Sequence, residues 1–500
     1  MDSKKEILIS SDKANRTTMG IKELSRPVRL IIFVVLVGLS IVMAGDNGVV
    51  SSCSEEIKRD LKLSEAEYGL YGSLPGSGRI FGSLIFMVIL TIFDNRKYIT
   101  IACLVLNGGI YYMYYLTKNK YVIYGIRFII GIARIYPQIF NDMWVNQFGV
   151  QKLKTLMLTT IKISSPLGQS FGYTVGTFIP NGDYVTGFAI IGTSILSVGA
   201  VLFFCPAEYF HAKYGFVGYM DQERVVSKPN ERTGNSYFED GKADGIKQKK
   251  GGSILNILVN GSYLSSLYVR ANCIFIFQVI HLNIKSYAVN VLGVKDKNEI
   301  FKYYVPASAM GPTIGGLLGG VIASAVGGYQ SPNSAYYILV TSILTLVSIL
   351  PVAYSSSIKV LGISLFGLFF FASAMFCVTE GWAQKALPKE HAGAGSSFKM
   401  FLSSILANTL GPIVYGFLHQ KFKATHPSLA WKITMSYQLL GFISAIFAVI
   451  LNYKSLSKSN KKPLGNDVAP SSAKPLKDDN TDTTPVSAEL PNITGDSSKV

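Results

Sequence analysis

Charged residues are scarce in this chain. Of its 500 residues, 15% are Asp, Glu, Lys or Arg, whereas 49% are hydrophobic, and the mean hydropathy is +0.32. Soluble domains carry charge at about a quarter of their positions, so this composition excludes an ordinary soluble domain. The 47 glycines also suit membrane helices, which approach one another closely at small residues. The composition predicts an integral, multi-pass membrane protein.

Cysteine and histidine are also sparse, with five of each. No two cysteines stand at the spacing of a metal site or a redox motif, so we expect no metal and no cofactor. The histidines form no H-E-x-x-H zinc motif, and no phosphate-binding G-x-x-x-x-G-K-[ST] occurs, which argues against a metalloenzyme and an ATP-driven pump. Ser396 and Lys399 match S-x-x-K only at chance-level spacing. We therefore predict that the protein is not an enzyme.

The charges that are present are unbalanced, because the net charge is +17. Most of the excess lies in loops and tails, where lysine and arginine mark the cytosolic side of a membrane protein, so we expect no nucleic-acid partner. Basic residues in the loops 93–97 and 146–154 place both termini in the cytosol. Lys118 and Lys421 are among the lysines on the wrong side, so the rule holds on balance. Neither tail carries a clear sorting motif for one cellular membrane.

Apolar stretches of about 20 residues are long enough to cross a membrane. The sequence contains about twelve of them. They lie near residues 28–50, 66–92, 97–117, 121–145, 155–179, 184–205, 264–290, 300–327, 333–355, 358–380, 394–418 and 430–453.

A polar segment divides these stretches six and six, and the chain is therefore expected to be all-α, with twelve transmembrane helices in two six-helix halves. The predicted organisation is a cytosolic N-terminal tail at 1–26, a six-helix bundle at 27–205, a cytosolic linker at 206–262, a second six-helix bundle at 263–453 and a disordered cytosolic tail at 454–500.

The two predicted halves echo each other. SSPLGQSFGY (164–173) in the fifth stretch matches ANTLGPIVYG (407–416) in the eleventh, and GSGRIFGSLIF (76–86) corresponds to GPTIGGLLGGV (311–321). Glycine-rich spans at equivalent places in two parallel halves are typical of one large class of transporters. Because glycine is common in any membrane helix, the echo is supporting evidence only.

A resemblance to a family follows from GSLIFMVILTIFDNRKYI, residues 82–99. The major facilitator superfamily has at this junction a glycine, an acidic residue and a basic pair. Gly82 and Asn95-Arg96-Lys97 match that pattern, whereas Ile92 stands at the acidic position. The resemblance implies that Arg96 and Lys97 are gating residues. Other matches are Arg127 with Gly131 in the fourth stretch and the proline- and glycine-bearing fifth stretch, and GDNGVV (45–50) is similar to the Spinster group. The resemblance covers roughly residues 27–453 and implies the major facilitator fold.

Ionisable residues inside apolar stretches are costly and mark functional sites. Arg127, Arg134 and Asn141 are spaced by seven, so they share one face of the fourth stretch, as expected of a helix that lines a transport path. Arg134 is alternatively an arginine that bonds a carboxylate or backbone carbonyls and ties helices together. Arg127, near a helix end, is expected either to share this face or to reach the interface. Asp142 is expected at the cytosolic mouth as a gate.

Two acids are candidates for proton coupling. Asp46 lies in the first stretch, and a pair with Arg79 or Arg134 is expected to set its protonation. Its alternative role is a helix cap in the turn-like GDNG. Glu380 ends the tenth stretch and is expected to cap a gate or to pair with Lys399, with interfacial anchoring as its alternative.

Polar residues at three-to-four spacing also mark the fifth and seventh stretches. Lys162 and Gln169 lie on one such face, and Gln278, His281 and Lys285 lie on another. His281 is either a titrating group or a structural hydrogen-bond donor. The resulting prediction is a substrate site, with no metal, built from Arg79, Arg134, Asn141, Lys162, Gln169, Gln278 and His281.

The sequence favours a secondary active transporter of a small organic solute that works by alternating access and is coupled to a proton gradient. Because Arg79, Arg134 and Lys162 outnumber the deeply buried acids, the cavity suits anions. The expected partners are the solute, membrane lipid and the proton gradient, and a monomer is expected. The alternatives are a lysolipid or sphingolipid carrier, as the Spinster resemblance would allow, and a membrane sensor that transports nothing.

Overall fold

The structure is a computed structural model, and it describes residues 26–92, 95–149, 154–210, 260–386 and 392–460. The secondary structure of these residues is helical throughout, with no strand among them. Most of the predicted linker and the tails beyond residues 26 and 460 lie outside the described residues. Contacts between Cα atoms join the described chain up to Ser457 into one compact unit.

The helices before the linker follow the first six apolar stretches, with one short helix added between the first two. They are α1 (Arg26–Ser52), α2 (Ser54–Asp60), α3 (Glu65–Ile92), α4 (Arg96–Ile110, continued by a 3-10 helix at Tyr111–Tyr115), α5 (Lys120–Phe148), α6 (Lys154–Phe178) and α7 (Tyr184–Phe204).

The helices after the linker follow the other six stretches. They are α8 (Gly261–Asn290), α9 (Lys297–Ala325), α10 (Asn333–Tyr354), α11 (Ile358–Lys385), α12 (Ala392–Ser403), α13 (Leu410–Phe422), α14 (Leu429–Ser436) and α15 (Gln438–Asn460). A π-helical turn, Ser404–Thr409, joins α12 to α13.

Each predicted apolar stretch therefore coincides with a helix or with consecutive helical segments. Nine helices in the described part of the chain are long and apolar enough to cross a membrane. Two ends lie furthest from the sequence-based bounds. The α11 helix continues past residue 380 to Lys385, and α15 continues to Asn460, into the range predicted to be a disordered tail.

Side chains from the loops begin several of these helices. The carboxylate or amide oxygens of Asn119, Asp183, Asn260 and Asp296 each accept a hydrogen bond from a backbone N–H in the first turn of the helix that follows. The Nδ2 of Asn260 also donates a hydrogen bond to the carbonyl of Ala386. These caps explain why the helices start where the apolar stretches start.

Glycines allow neighbouring helices to approach closely, and their contacts show the relative direction of the helices. A Cβ atom added at Gly168 would lie 2.0 Å from the carbonyl oxygen of Ile41, and one added at Gly172 would lie 1.7 Å from that of Gly45. Both residue numbers rise together, so α1 and α6 run parallel and touch through their backbones. We call the end of the bundle where these two helices begin the first face, and the end where they finish the second face.

Other pairs of touching helices are antiparallel. Gly69 of α3 lies against Pro412 of α13, whereas Gly76 lies against Asn408. The hydroxyls of Ser170 in α6 and Ser308 in α9 are 2.8 Å apart, and Gly316 lies nearer the first face against Ile163. Helices from the two parts of the chain therefore touch along α3–α13 and α6–α9.

Two large apolar clusters form most of the core, and a small third one surrounds Tyr263, Leu267 and Ala383. One large cluster is built almost entirely from residues before position 211, and the other almost entirely from residues after position 268. Each large cluster contains a buried tryptophan whose indole N–H finds a carbonyl: Trp144 donates to Tyr209 and Trp431 donates to Val352. Many large apolar side chains are also exposed on the outside, including Leu116 and Phe204, as expected for helices surrounded by lipid.

Candidate functional site

A cavity of about 190 Å³ lies between helices from the two parts of the chain. Helices α1, α3, α5 and α6 form one wall, and α8, α11, α12 and the π-helical turn form the other. Six of the seven residues predicted to bind substrate line it: Arg79, Asn141, Lys162, Gln169, Gln278 and His281. The structure thus brings together residues that are spread over 200 positions of the sequence. We call this space the polar cavity.

A second cavity, of about 340 Å³, adjoins the first. It lies between α6, α9 and α11, and we call it the lateral cavity. The two cavities share lining residues, namely Lys162, Pro166, Arg270, Phe376 and Lys399. The lateral cavity also contains the two acids Asp142 and Glu380 and apolar side chains such as Leu158 and Ile163.

Arg79 reaches the polar cavity from the middle of α3. Its neighbours Gly78 and Gly82 are pressed against α5, since a Cβ atom at Gly78 would lie 2.1 Å from the carbonyl oxygen of Phe128. In the part of the chain that the structure describes, Arg79 forms no ion pair, and its buried Nε has no hydrogen-bond partner. A buried donor without an acceptor costs about 1–3 kcal/mol, so this group is suited to bind a ligand.

Asp46 sits between two arginines of α5. Its Oδ2 is 3.0 Å from Arg127 and its Oδ1 is 2.5 Å from Arg134, and all three side chains are buried. The predicted pair with Arg134 is confirmed, whereas the partner of the other oxygen is Arg127 rather than Arg79. The alternative that Arg127 reaches the membrane interface is wrong, because its guanidinium is buried over the ring of Tyr71, 4.7 Å from the centroid.

Arg134 does not line either cavity among the described residues. Besides Asp46, its guanidinium donates to the hydroxyl of Tyr111 at 3.1 Å. The arrangement matches the alternative role that the sequence left open, in which the arginine ties helices together. Its contact with substrate stays a prediction.

Ion pairs also flank the first-face side of the two cavities. Lys162 of α6 binds both carboxylate oxygens of Asp142 at 2.5 Å. Glu380 of α11 pairs with Lys399 of α12, as predicted, and also with Arg270 of α8. Each of the two clusters therefore holds helices of one part of the chain together.

Arg270 is a site residue that the sequence-based prediction missed. It lies four residues before Ile274 and eight before Gln278, so the polar face marked by Gln278, His281 and Lys285 extends back to it. That helical spacing is the signal that could have found it. Lys285, on the same face, lies elsewhere, at the second face.

His281 has a structural partner on one side and the polar cavity on the other. Its Nδ1 is 2.5 Å from the hydroxyl of Tyr304, and its ring stacks on Phe369 with centroids 5.2 Å apart. This leaves Nε2 as the ring nitrogen available to a ligand.

The second face is closed by charges that connect the two parts of the chain. Glu56 of α2 pairs with Lys285 at 2.7 Å and with Lys297 at 2.9 Å. Glu65 pairs with Lys58 at 3.2 Å and with Lys423 at 2.7 Å. Burial alone would raise the pKa of Glu56, but the ammonium groups of Lys285 and Lys297 lower it below the ordinary value. Glu56 is thus a carboxylate at neutral pH and holds α8 and α9 to α2.

The basic pair at the start of α4 has a local role. Lys97 donates from Nζ to the carbonyls of Phe203 and Cys205, at 2.7 and 2.6 Å, and so caps the end of α7. The backbone carbonyl of Arg96 accepts from the hydroxyl of Tyr136 at 3.4 Å. Asp94 lies outside the described residues, and the gating role of the pair stays a prediction.

Among the residues that the structure describes, no three histidine, cysteine or acidic side chains lie together in a way that could hold a metal ion. The groups that line the polar cavity are cations, amides, hydroxyls and aromatic rings, beside apolar side chains.

Comparisons with solved structures find the same fold. Two crystal structures of a bacterial homologue of the human lysosomal transporter Spinster, inward-facing and either unoccupied or occupied, are similar with TM-scores of 0.59 and 0.58. Both are 13% identical, and each alignment covers 87% of this chain and 98% of that chain. A mutant of the nucleoside transporter NupG has a TM-score of 0.56 and 12% identity, with 83% of this chain and 99% of that chain covered.

No curated protein matches the chain in sequence. The sequence pattern of the Major Facilitator Superfamily matches residues 35–412, which is more than half of the chain. The protein therefore belongs to the Major Facilitator Superfamily.

Proposed function

We propose that this protein is a secondary active transporter that moves a small organic anion across a membrane by alternating access. One observation carries the proposal. The polar cavity is bounded by helices from both parts of the chain, and its wall bears four cations but, among the described residues, no carboxylate. The four are Arg79, Lys162, Arg270 and Lys399.

The charge around the cavity supports an anion in particular. Asp142 offsets Lys162, and Glu380 is shared by Arg270 and Lys399, so four cations face two acids. Two positive charges remain uncompensated, one of them on Arg79. Uncompensated charge in a membrane interior is costly, so a bound anion would lower the free energy of this state.

Alternating access is supported by the unequal ends of the molecule. The second face is closed by Glu56 and Glu65, each of which binds lysines across the two parts of the chain. Among the described residues, the first-face ion pairs of Lys162 with Asp142 and of Glu380 with Arg270 and Lys399 each join helices of one part. We infer that the cavity opens towards the first face here. We also infer that the first face is cytosolic, because α1 begins and α15 ends there, next to segments that the sequence places in the cytosol.

Proton coupling is proposed for the two acids that the sequence singled out. Glu380 borders the lateral cavity, so water can reach it, and its protonation would release Arg270 and Lys399. Asp46 is fully buried between Arg127 and Arg134, so it would exchange a proton only in another conformation. Geometry therefore favours Glu380 as the first proton acceptor and Asp46 as the element that ties α1 to α5.

The test is ligand-dependent thermal unfolding of the purified protein, with Arg79→Gln and Arg79→Lys beside the wild type. The panel would span carboxylates, phosphates, neutral sugars, nucleosides and lysolipids. A ligand at a hundred times its dissociation constant stabilises by about 2.7 kcal/mol, which such an assay resolves. We expect a shift with anions that is lost in Arg79→Gln and partly kept in Arg79→Lys. A shift with neutral solutes that is the same in all three proteins would contradict the proposal.

A lipid-like cargo is the second candidate, and the lateral cavity favours it. This cavity is larger than the polar cavity and adjoins it. The polar cavity would bind an anionic headgroup, and the apolar side chains of the lateral cavity would contact a hydrocarbon chain. A series of anions of increasing chain length separates the two candidates. Stabilisation that rises with every added methylene favours the lipid-like cargo, and stabilisation that falls favours the small anion.

A sensor that transports nothing is the remaining alternative, mildly favoured by Ile92 at the acidic position of the family pattern. A protein that binds an anion but exchanges no solute in liposomes would be such a sensor.

A further inference from the structure

We propose that the transported anion also carries hydroxyl or amide N–H groups, which bind to the amide oxygens of Asn141 and Gln169. The inference rests on the proposed function and narrows its substrate class to hydroxylated or amide-bearing organic anions. It excludes plain alkyl carboxylates and inorganic anions as preferred substrates.

Asn141 lines the polar cavity, and its neighbour Ser40 fixes the orientation of its amide. Its Nδ2 donates to the hydroxyl of Ser40 at 2.8 Å, and Ser40 donates its own proton to the carbonyl of Leu36 at 3.0 Å. A serine hydroxyl has one proton, so Ser40 can only accept from Asn141. The amide must therefore point its Nδ2 at α1 and its Oδ1 away from Ser40.

That Oδ1 atom is buried, and no donor from the described residues reaches it. The residue as a whole is 2% exposed and lines the cavity. Buried acceptors are nearly always paired in native structures, because an unmade hydrogen bond costs the desolvation of the group. The polar cavity, which Asn141 lines, is the space from which the donor of a ligand would reach this atom.

Gln169 offers a second amide on the neighbouring helix, and no hydrogen bond among the described residues fixes the orientation of this amide. It is 6% exposed and lines the same cavity, and its Oε1 is buried without a donor among the described side chains and backbone. The two acceptors stand on α5 and α6, which belong to the same wall. Two unmet acceptors on one wall fit a ligand with more than one donor.

The third polar atom without a hydrogen-bond partner is a donor rather than an acceptor. The Nε of Arg79 is a buried donor on α3, in the same wall. A matching ligand thus places a negative group at Arg79 and neutral donors at Asn141 and Gln169. An ammonium donor fits poorly, because the cavity already has excess positive charge. Hydroxy acids, polyol phosphates and amide-bearing carboxylates meet all three requirements.

Matched pairs of anions that differ only in hydroxyl groups test the inference. Suitable pairs are gluconate with hexanoate, malate with succinate, and glycerol 3-phosphate with propyl phosphate. Dissociation constants would be measured by calorimetry on the purified full-length protein. We expect the hydroxylated member to bind about tenfold more tightly or better, because the plain member leaves buried acceptors unpaired.

Substitutions then assign the preference to its atoms. Asn141→Leu and Gln169→Leu replace the acceptor with an apolar side chain, so each should reduce the preference for the hydroxylated anion towards onefold. Ser40→Ala should weaken the preference for the hydroxylated anion, because the amide of Asn141 can then rotate. Gln438→Leu is the matched control: Gln438 is 2% exposed with an unpaired Oε1 but lines neither cavity, so the preference should persist.

The outcomes separate this inference from the function on which it rests. One outcome would overturn the inference but leave the proposed anion transport standing. In it, the wild type binds both members of every pair equally, and Arg79→Gln loses the binding of both. A hydroxyl preference that survives in both Asn141→Leu and Gln169→Leu would overturn it as well. Absence of binding by any anion would overturn both.

Discussion

At the scale of single residues, the most constrained group is Asp46. One carboxylate compensates two arginines, Arg127 and Arg134, and none of the three is exposed. Removing one member of a buried charge cluster costs more than the pair itself contributes, because the remaining charges stay buried and unpaired.

We therefore predict that Asp46→Asn lowers the free energy of unfolding by about 3–5 kcal/mol, measured by thermal unfolding in detergent. Asp60→Asn is the control, since Asp60 pairs with Arg59 at 3.4 Å on an exposed surface and such pairs contribute about 1 kcal/mol or less. Equal stability of Asp46→Asn and the wild type would mean that the two arginines have other partners.

Glu380 leads to a prediction about coupling rather than stability. Glu380→Gln imitates the protonated acid and leaves Arg270 and Lys399 without their carboxylate. We expect exchange of anion for anion to persist in liposomes, while accumulation driven by a pH gradient is lost. Retained accumulation would show that another group, with Asp46 the first candidate, carries the proton.

At the scale of elements, the contact of α1 with α6 depends on glycine. A Cβ atom at Gly172 would meet the backbone of Gly45 at 1.7 Å, a distance that only separation of the two helices can relieve. Small residues are the means by which membrane helices come this close.

The Gly172→Ala substitution should therefore lower the free energy of unfolding by about 1–3 kcal/mol, the usual cost of overpacking. Gly125→Ala in α5 is matched to it, because nothing lies within 4 Å of the added atom and alanine favours a helix by up to about 1 kcal/mol. The two proteins would be compared by thermal unfolding, and similar melting temperatures would show that α1 and α6 separate easily.

The short helix α2 is the element that closes the second face, and its closure should depend on pH. The pKa of Glu56 is lowered by Lys285 and Lys297, so its stabilising effect is complete above the ordinary glutamate value of about 4.3 and fades as pH falls through the lowered one.

We predict that Glu56→Gln lowers the free energy of unfolding by about 1.5–3 kcal/mol at pH 7, the range for hydrogen bonds to charged groups. The difference from the wild type should shrink as the pH is taken below about 4. Unfolding would be followed in parallel for both proteins, and a constant difference across this range would show that the Glu56 charge does not hold the face closed.

At the scale of the whole molecule, the sequence was sufficient for the helices because the bilayer dictates their length and apolarity. The predicted bounds of most stretches lie within a few residues of the observed ones. The main departures, such as α15 continuing to Asn460, are polar helix ends outside the apolar part, where hydropathy gives no signal.

The site was predicted less completely, because it depends on tertiary contacts between helices that are distant in the sequence. Helical spacing places Arg127, Arg134 and Asn141 on one face, but that face meets both Asp46 and the cavity. Only the packing of α1 against α5 decides that Arg134 pairs with Asp46 while Asn141 reaches the cavity. The fixed orientation of the Asn141 amide was equally hidden, because it depends on Ser40 of another helix.

The most direct test of transport by alternating access is a reversible link between α6 and α9. Ser170 and Ser308 face each other across that contact with hydroxyls 2.8 Å apart, so cysteines at both positions should form a disulfide. Counterflow of an anion such as gluconate would be measured in liposomes, before and after oxidation and again after reduction. The account predicts that oxidation stops counterflow, that binding persists, and that reduction restores flux, with each single-cysteine variant unaffected. Counterflow that continues at full rate in the oxidised double variant would contradict it.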